Sequence, residues 1–302
     1  MNRLAIVTVL YRSRDMLAKT LPTWVRSAEG HAIEFVFVDN SPDDGCRDVI
    51  ADCLDDRPYR YLPDATNPGF AAGCNRGVEA VTAPHVLLLN PDVHLRDDSF
   101  AAMLSAVASA PDRPWAVGLA MRGGEYTGID VHPVSLFIDR PAGLRRGPLG
   151  PSGGAAILPT DLMRRYGGFA EPLFAWGEDA DLAFRLYASG IRTGTIDLAL
   201  PHAWGHSVEG EPKLHGFRAF LLARNRVLVA ARNLSWPLLL IALPLMVLAH
   251  LALGVRRARQ GLLGPFLRGV GHGLRGAYAA RRDGHAHRFG LADLRVYLKG
   301  GA

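Results

Sequence analysis

The chain has 302 residues, 49% of them hydrophobic and 21% charged, with a formal net charge of +5. Such a composition excludes a disordered or low-complexity chain and supports one large globular domain, or a domain with an appendage. The charge is split: residues 255–302 hold ten Lys/Arg and two Asp/Glu, a balance of +8, while residues 1–254 stand at −3, so a mildly acidic body carries a basic tail.

Taken in order, apolar extended runs alternate with helical periodicity. Strands are expected over 4–10, 33–38, 59–62 and 85–89, helices over 15–27, 46–54, 71–80 and 98–109, and a further strand over 115–120. This βα alternation predicts an α/β fold with a mainly parallel central sheet and helices on both faces. The start, Met1-Asn2-Arg3, leads into a short apolar stretch that meets Arg12 and Arg14 without a small-residue cleavage site, which reads as a first strand and not as a signal peptide. Between 121 and 151 glycine, proline and arginine rise and periodicity fades, so a long crossing loop is expected there. A second block over 153–200 holds a helix opening near Asp179 and a strand near 193–200, and residues 214–233 have the pattern of an amphipathic helix. Cys46, Cys53 and Cys74 are odd in number and lack CxxC spacing, as reduced cytosolic thiols do.

Two of the expected strands end in acids. The second runs into Asp39-Asn40-Ser41, and the fourth into Asn90-Pro91-Asp92, which puts two carboxylates on the carboxyl rim of one sheet, where open α/β sheets bind ligands. Asp92 suits a metal ion on a diphosphate, or simply ends a surface turn. Asp39 suits a hydrogen bond to a base or ribose, or an Asx turn with Ser41. The first turn, Tyr11-Arg12-Ser13, has no GxGxxG, and no GxxxxGK[ST] loop occurs, which removes the usual dinucleotide and phosphate-loop enzymes. Asn67-Pro68-Gly69-Phe70-Ala71-Ala72-Gly73-Cys74-Asn75-Arg76-Gly77 is a glycine-spaced entry into a helix, where a ligand can approach backbone and an anion can meet the helix N-terminus. Glu178-Asp179-Ala180-Asp181 follows Trp176-Gly177. Acids in a first helical turn are explained by the macrodipole, or, crowded beside an aromatic wall, by a general base of raised pKa. His202 and His206 lie on a loop after the last strand, as solvated residues or as metal ligands.

Residues 236–254, WPLLLIALPLMVLAHLALG, carry no formal charge and are about as long as a minimal bilayer span, and Arg256, Arg257 and Arg259 follow at once. Apolar chain closed by arginines fits a lipid surface better than nucleic acid, which has no use for the greasy part. The alternative is a buried helical hairpin broken at Pro244.

These motifs, in this order, resemble the inverting glycosyltransferases of family 2, with the GT-A fold, and in particular their rhamnosyltransferase-like branch, which builds bacterial surface glycans. The matching pieces run from Val7-Thr8-Val9-Leu10-Tyr11 through Val38-Asp39-Asn40-Ser41, the Asn67 to Gly77 segment, Leu87 to Asp92, Gly153-Gly154-Ala155, Gly167-Gly168-Phe169, Trp176 to Leu182, and His202 with Gly205 and Ser207. The resemblance implies that Thr8, Tyr11, Asp39, Asn67, Gly69, Gly73, Asn75, Gly154 and Arg224 bind the nucleotide-sugar donor. It implies that Asp92 and His202 hold a divalent cation, Mg²⁺ or Mn²⁺, that Asp179 is the catalytic base, and that Glu178 and Trp176 position a glycan or lipid-linked acceptor. Asn90 stands where the family's DxD pattern has its first acid, which implies a weaker metal site. The expected organisation is a catalytic domain over 1–233 and a helical membrane-associating tail over 234–302, at the cytoplasmic face of the cell membrane. The rivals are a nucleotidyltransferase, which would want a glycine-rich, basic loop after the first strand, and a membrane-docked nucleotide-sugar-binding protein without turnover.

Overall fold

The computed structural model describes residues 4–121, 123–133, 135–202 and 212–300. Its elements in chain order are β1 (Leu4–Leu10), α1 (Arg14–Ser27), β2 (Ile33–Asp39), α2 (Cys46–Leu54), β3 (Tyr59–Pro63), α3 (Phe70–Ala80), β4 (His85–Leu89), α4 (Ser99–Ser109), β5 (Trp115–Met121), β6 (Gly124–His132), β7 (Leu136–Pro141), β8 (Ala155–Pro159), α5 (Thr160–Arg165), α6 (Glu178–Ala188) and β9 (Gly194–Pro201). Four helices close the chain: α7 (Pro212–Asn233), α8 (Trp236–Arg259), α9 (Leu263–Arg282) and α10 (Leu291–Leu298).

The sheet order is β3-β2-β1-β4-β8-β5-β6-β7, with β9 paired to β5. Pairing is parallel among β3, β2, β1 and β4 and between β5 and β9, and antiparallel wherever β6, β7 and β8 take part. The expected parallel sheet is therefore the N-terminal half of a mixed one. The segment over 121–151, expected as a loop, is instead mostly the β6–β7 hairpin. Its register shifts between Tyr126 and Ile129, where Gly128 has a positive φ of 78°, so the strict alternation that marks a strand in sequence is broken. β8, the reversed strand between β4 and β5, lies in the small-residue run after Gly153-Gly154, which has no polar alternation because both of its faces are covered.

β1 shows why the centre holds. Every residue of Leu-Ala-Ile-Val-Thr-Val-Leu is buried. Leu4, Ile6 and Leu10 join Phe35, Phe37, Trp24 and Phe100 on one face of the sheet, and Ala5, Val7 and Val9 join Val36, Val38 and Cys74 on the other. Two-sided burial suits parallel strands flanked by helices. A third apolar cluster joins the β6–β7 hairpin and α6 to the C-terminal helices, through Phe184, Tyr187, Val229, Phe289 and Tyr297. After residue 233 the chain stays in contact with the body, α9 packing on α7 and α10 docking where Tyr297 donates its hydroxyl to Asp130.

Gly73 and Gly77 have a packing reason. A side-chain carbon at Gly73 would meet both methyls of Val9 at 2.9 Å, and one at Gly77 would collide with Val7, so the two glycines let α3 lie directly on β1. Gly77→Ala is expected to destabilise the fold: overpacking costs about 1–3 kcal/mol, which outweighs the roughly 1 kcal/mol by which alanine favours a helix. A lowered urea midpoint with an unchanged m-value checks it.

Candidate active site

The carboxyl ends of β1, β2 and β4 open onto a cavity of about 760 Å³, closed on the far side by the β7 strand, the 174–177 loop and α7. Asp92, His202, Asn67, Gly69, Tyr11, Gly154, Trp176, Glu178 and Asp179 all line it. Strands that end at one rim, as open α/β sheets require, bring together residues far apart in sequence.

At one end Asp92 Oδ1 lies 3.0 Å from His202 Nε2, both side chains largely buried. The meeting is built by backbone: Val93 and His202 form an antiparallel bridge, His94 donates its N–H to Pro201 O at 2.9 Å, and His202 donates its own to Ala120 O at 3.0 Å. His202 Nδ1 is buried and has no partner among the described residues. His206 lies outside the described residues, as do Gly205 and Ser207. A carboxylate and an imidazole, with open space beside them, form a donor pair that suits a hard divalent cation whose remaining ligands come from phosphate and water. Among the described residues no cluster of three metal-binding side chains occurs.

At the other end stands Asp179, half-buried in the first turn of α6. Its Oδ2 accepts the Gly153 N–H at 3.0 Å and its Oδ1 accepts that of Ala180 at 2.8 Å. Burial pushes its carboxyl up to about 6, the Gly153 N–H pulls the other way, and the Asp139 charge across the cavity adds to the rise. Glu178 is only 5% exposed, and its Oε2 finds no partner among the described residues. Burial first, and then the Asp179 charge, raise its carboxyl, so the more exposed Asp179 ionises first and keeps Glu178 protonated. Gly153-Gly154 bridges the two ends: Gly153 binds Asp179, and Gly154 O accepts the Asn90 N–H at 3.0 Å. A side-chain carbon at Gly154 would come within 3.8 Å of His202 Cε1. The base candidate and the Asp92–His202 pair are thus on the order of 10 Å apart by backbone dimensions.

Trp176 sits on a loop held in an unusual shape, with positive φ at Phe174 (67°), Trp176 (62°) and Gly177 (127°). Asn225 of α7, fully buried, stabilises it by donating to Leu173 O, Ala175 O and Trp176 O at 2.8–2.9 Å. Gly69, with φ of 98°, lies under Phe174, which any side chain there would strike. The Arg218 guanidinium stands over the Trp176 ring, 5.6 Å from its centroid.

A second hollow of about 390 Å³ adjoins the first through Tyr11, Arg12, Asn40 and Asn67 and is otherwise lined by residues 41–44 and Ala65. Asp39 lies behind it, 0% exposed. Its Oδ1 accepts the Ser41 N–H at 2.9 Å, the Asx turn, and its Oδ2 accepts the Tyr61 hydroxyl at 2.7 Å. Thr8, Gly73, Asn75 and Arg224 also lie off the cavity lining. Thr8 donates to Leu89 O at 2.6 Å, and Asn75 exchanges hydrogen bonds with the Phe169 backbone. Arg224 donates to Pro172 O and Leu173 O, bracing the Trp176 loop from behind. Reading the sequence missed Asn225, Arg226, Arg218 and Asp139. The row of Leu214, Arg218, Leu222 and Arg226 in an amphipathic helix is the available signal for the two arginines, and Asp139 has none, because its strand lacks strand periodicity in the sequence.

Residues 5–131 match the Glycosyl transferase family 2 model. No curated protein matches the chain in sequence. Among solved structures, the mannosyltransferase PcManGT from Pyrobaculum calidifontis in complex with GDP-Man and Mn²⁺ is similar at a TM-score of 0.57 and 16% identity, over 93% of this chain and 87% of that one. GalNAc-T7 with UDP, GalNAc and Mn²⁺ is similar at 0.63 and 12%, over 78% of this chain and 49% of that one. S. aureus TarS 1–349 in complex with UDP-GlcNAc gives 0.57 and 14%, over 99% and 92%. At these identities the likeness is one of fold. The chain is therefore an α/β protein of GT-A fold whose residues 5–131 match the Glycosyl transferase family 2 model.

Proposed function

We propose that the protein is an inverting glycosyltransferase that moves a sugar, rhamnose in our reading, from a nucleoside diphosphate to a hydroxyl of a glycan or lipid-linked acceptor in bacterial cell-surface polysaccharide synthesis. One observation carries the reading: a half-buried carboxylate of raised pKa, Asp179, and the Asp92–His202 pair line one cavity, of which Asp92 lies within the segment that matches the family 2 model. Solved structures of this fold in complex with GDP-Man or UDP-GlcNAc support a nucleotide-sugar donor. The rhamnose assignment rests on the motif resemblance.

In this mechanism the nucleoside enters the smaller hollow beside Tyr11 and Asn67, the turn held by Asp39 forming its wall. The diphosphate lies by Gly69, Gly154 and the Asp92–His202 pair. Those two residues would hold a divalent cation, which, when bound, supplies positive charge for the leaving diphosphate. The acceptor sugar rests against Trp176. Its hydroxyl oxygen attacks the anomeric carbon from the side opposite the diphosphate, the carbon–oxygen bond to the diphosphate breaks, and the hydroxyl proton passes to Asp179. Protonated Glu178 leaves Asp179 the only carboxylate of the pair able to accept it.

Asp179→Asn is expected to retain donor binding and lose transfer by roughly 10²–10⁴-fold. In the parent, transfer should rise with pH through about 6, because the base works only when deprotonated, and should fall away below it. A product assay over a panel of thymidine-, guanosine- and uridine-diphosphate sugars reads both, and turnover of Asp179→Asn within about tenfold of the parent rejects the base assignment. Asp92→Ala should weaken donor binding in the presence of Mg²⁺ or Mn²⁺ and leave the chelator-treated value unchanged, as measured by calorimetry.

The same reading puts the protein on the cytoplasmic face of a membrane. α8 runs unbroken through Pro244, and one of its faces exposes Leu240, Val247, Leu248, Leu251 and Val255. Leu240, Leu248 and Leu251 are each 62–64% exposed, next to the Arg256, Arg257 and Arg259 cluster. Greasy side chains beside arginines suit a helix lying among headgroups. Replacing Leu240, Leu248 and Leu251 together by Glu should move the protein out of the bound fraction in flotation with anionic vesicles. Unchanged partition would remove the membrane from the proposal.

A further inference from the structure

α7 faces the cavity with a row of residues every fourth position: Leu214, Arg218, Leu222 and Arg226. At 1.5 Å per residue the row is about 18 Å long. Its arginine end is unusual. Arg226 Nε is buried with no partner, and no carboxylate pairs with its guanidinium among the described residues. Its charged neighbour is another cation, Arg257 of α8. Burial, and then the Arg257 charge, pull the Arg226 guanidinium down to about 10, which still leaves it cationic at neutral pH. A half-buried guanidinium that lines a cavity with its Nε sealed and unpartnered, and with a second positive charge nearby, is relieved by an anionic ligand. The surroundings are apolar: Leu214, Phe217 and Leu222 line the same wall, and α8, which carries Arg257, exposes Leu240, Leu248 and Leu251. Arg218, above the Trp176 ring, marks the end of the row next to the acceptor platform.

We infer that this wall of the cavity binds an acceptor that carries a phosphate or diphosphate on an apolar chain, with Arg226 and Arg257 receiving the phosphate, Arg218 standing at the sugar end and the chain leaving along α8. The inference rests on the transferase reading for the sugar's fate, but the phosphate subsite stands on α7 and α8 alone. A bare glycan acceptor would leave Arg226 without an anionic partner. A phosphate between them supplies the missing acceptors for charge-assisted hydrogen bonds.

Calorimetry on the full chain in detergent and EDTA, which silences metal-dependent diphosphate binding at Asp92, tests the site with farnesyl diphosphate, inorganic diphosphate and farnesol as probes. Farnesyl diphosphate is expected to bind at least about tenfold more tightly than either fragment probe, and Arg226→Gln to weaken it by about tenfold or more, with Arg226→Lys retaining part of the affinity. Thermal unfolding of both variants checks that they fold. Equal affinity for inorganic and farnesyl diphosphate overturns the apolar half of the site, and an unchanged affinity in folded Arg226→Gln overturns the arginine half. Competition by anionic vesicles that depends on Arg226 would assign the arginine to bilayer headgroups and overturn the acceptor reading. Binding with no sugar transfer from any donor would refute the proposed reaction and leave the subsite standing.

Discussion

Asp181 is the fixed point of the molecule. Its carboxylate, fully buried, accepts Arg185 Nε and Arg232 Nε at 2.8 Å each and Asn233 Nδ2 at 2.7 Å. Burial alone would raise its pKa, but the two guanidinium groups hold it below the usual carboxylate range. Taking away one partner of such a buried ion typically costs about 3–5 kcal/mol, so the arrangement tolerates little rearrangement. It pins α7 to α6. One of these helices opens with Glu178 and Asp179; the other carries Asn225, which shapes the Trp176 loop, and Arg226. The spacing between Asp179, the Trp176 loop and the Arg218–Arg226 row depends on that one buried charge cluster.

The three acids of Glu178-Asp179-Ala180-Asp181 therefore occupy three environments: a neutral buried acid, a half-buried carboxylate facing the cavity, and a fully paired ion. Helical geometry explains the division. Residues in the first turn point in different directions about the axis, so Glu178 is buried, Asp179 faces the cavity and Gly153, and Asp181 meets Arg232 and Asn233 of the neighbouring helix. The macrodipole favours all three, but their individual surroundings decide their protonation.

Much of this was legible in sequence, for identifiable reasons. β1, β2 and β4 are apolar runs with sharp ends, so the rim position of Asp92 followed from the run itself, and the glycine before α6 marked the helix start that carries Asp179. The N-terminal half of the sheet was equally plain. The β6–β7 hairpin was not, because its bulge at Gly128 breaks the period-two pattern and its turn residues imitate a loop. Side-chain direction was also hidden. Asp39 and Asn75 sit in the right segments but turn inward, onto Tyr61 and Ser41 in one case and onto the Phe169 backbone in the other. The glycines of the Asn67 to Gly77 segment serve two ends: Gly69 admits Phe174 at the cavity, whereas Gly73 and Gly77 admit β1. Spacing alone does not separate a glycine facing a ligand from one facing a strand.

α9 meets α7 through glycines. A side-chain carbon at Gly269 would collide with Phe220 O, and one at Gly273 would come 2.9 Å from Arg224 O and 2.8 Å from Val227 Cβ. Backbone rests on backbone there, as in the close helix pairs of membrane proteins, with no flexible side chain between to absorb a shear. The two helices consequently move as one lever. A tilt imposed on the outer helices, by whatever surface they meet, would be delivered with little damping to the α7 wall of the cavity.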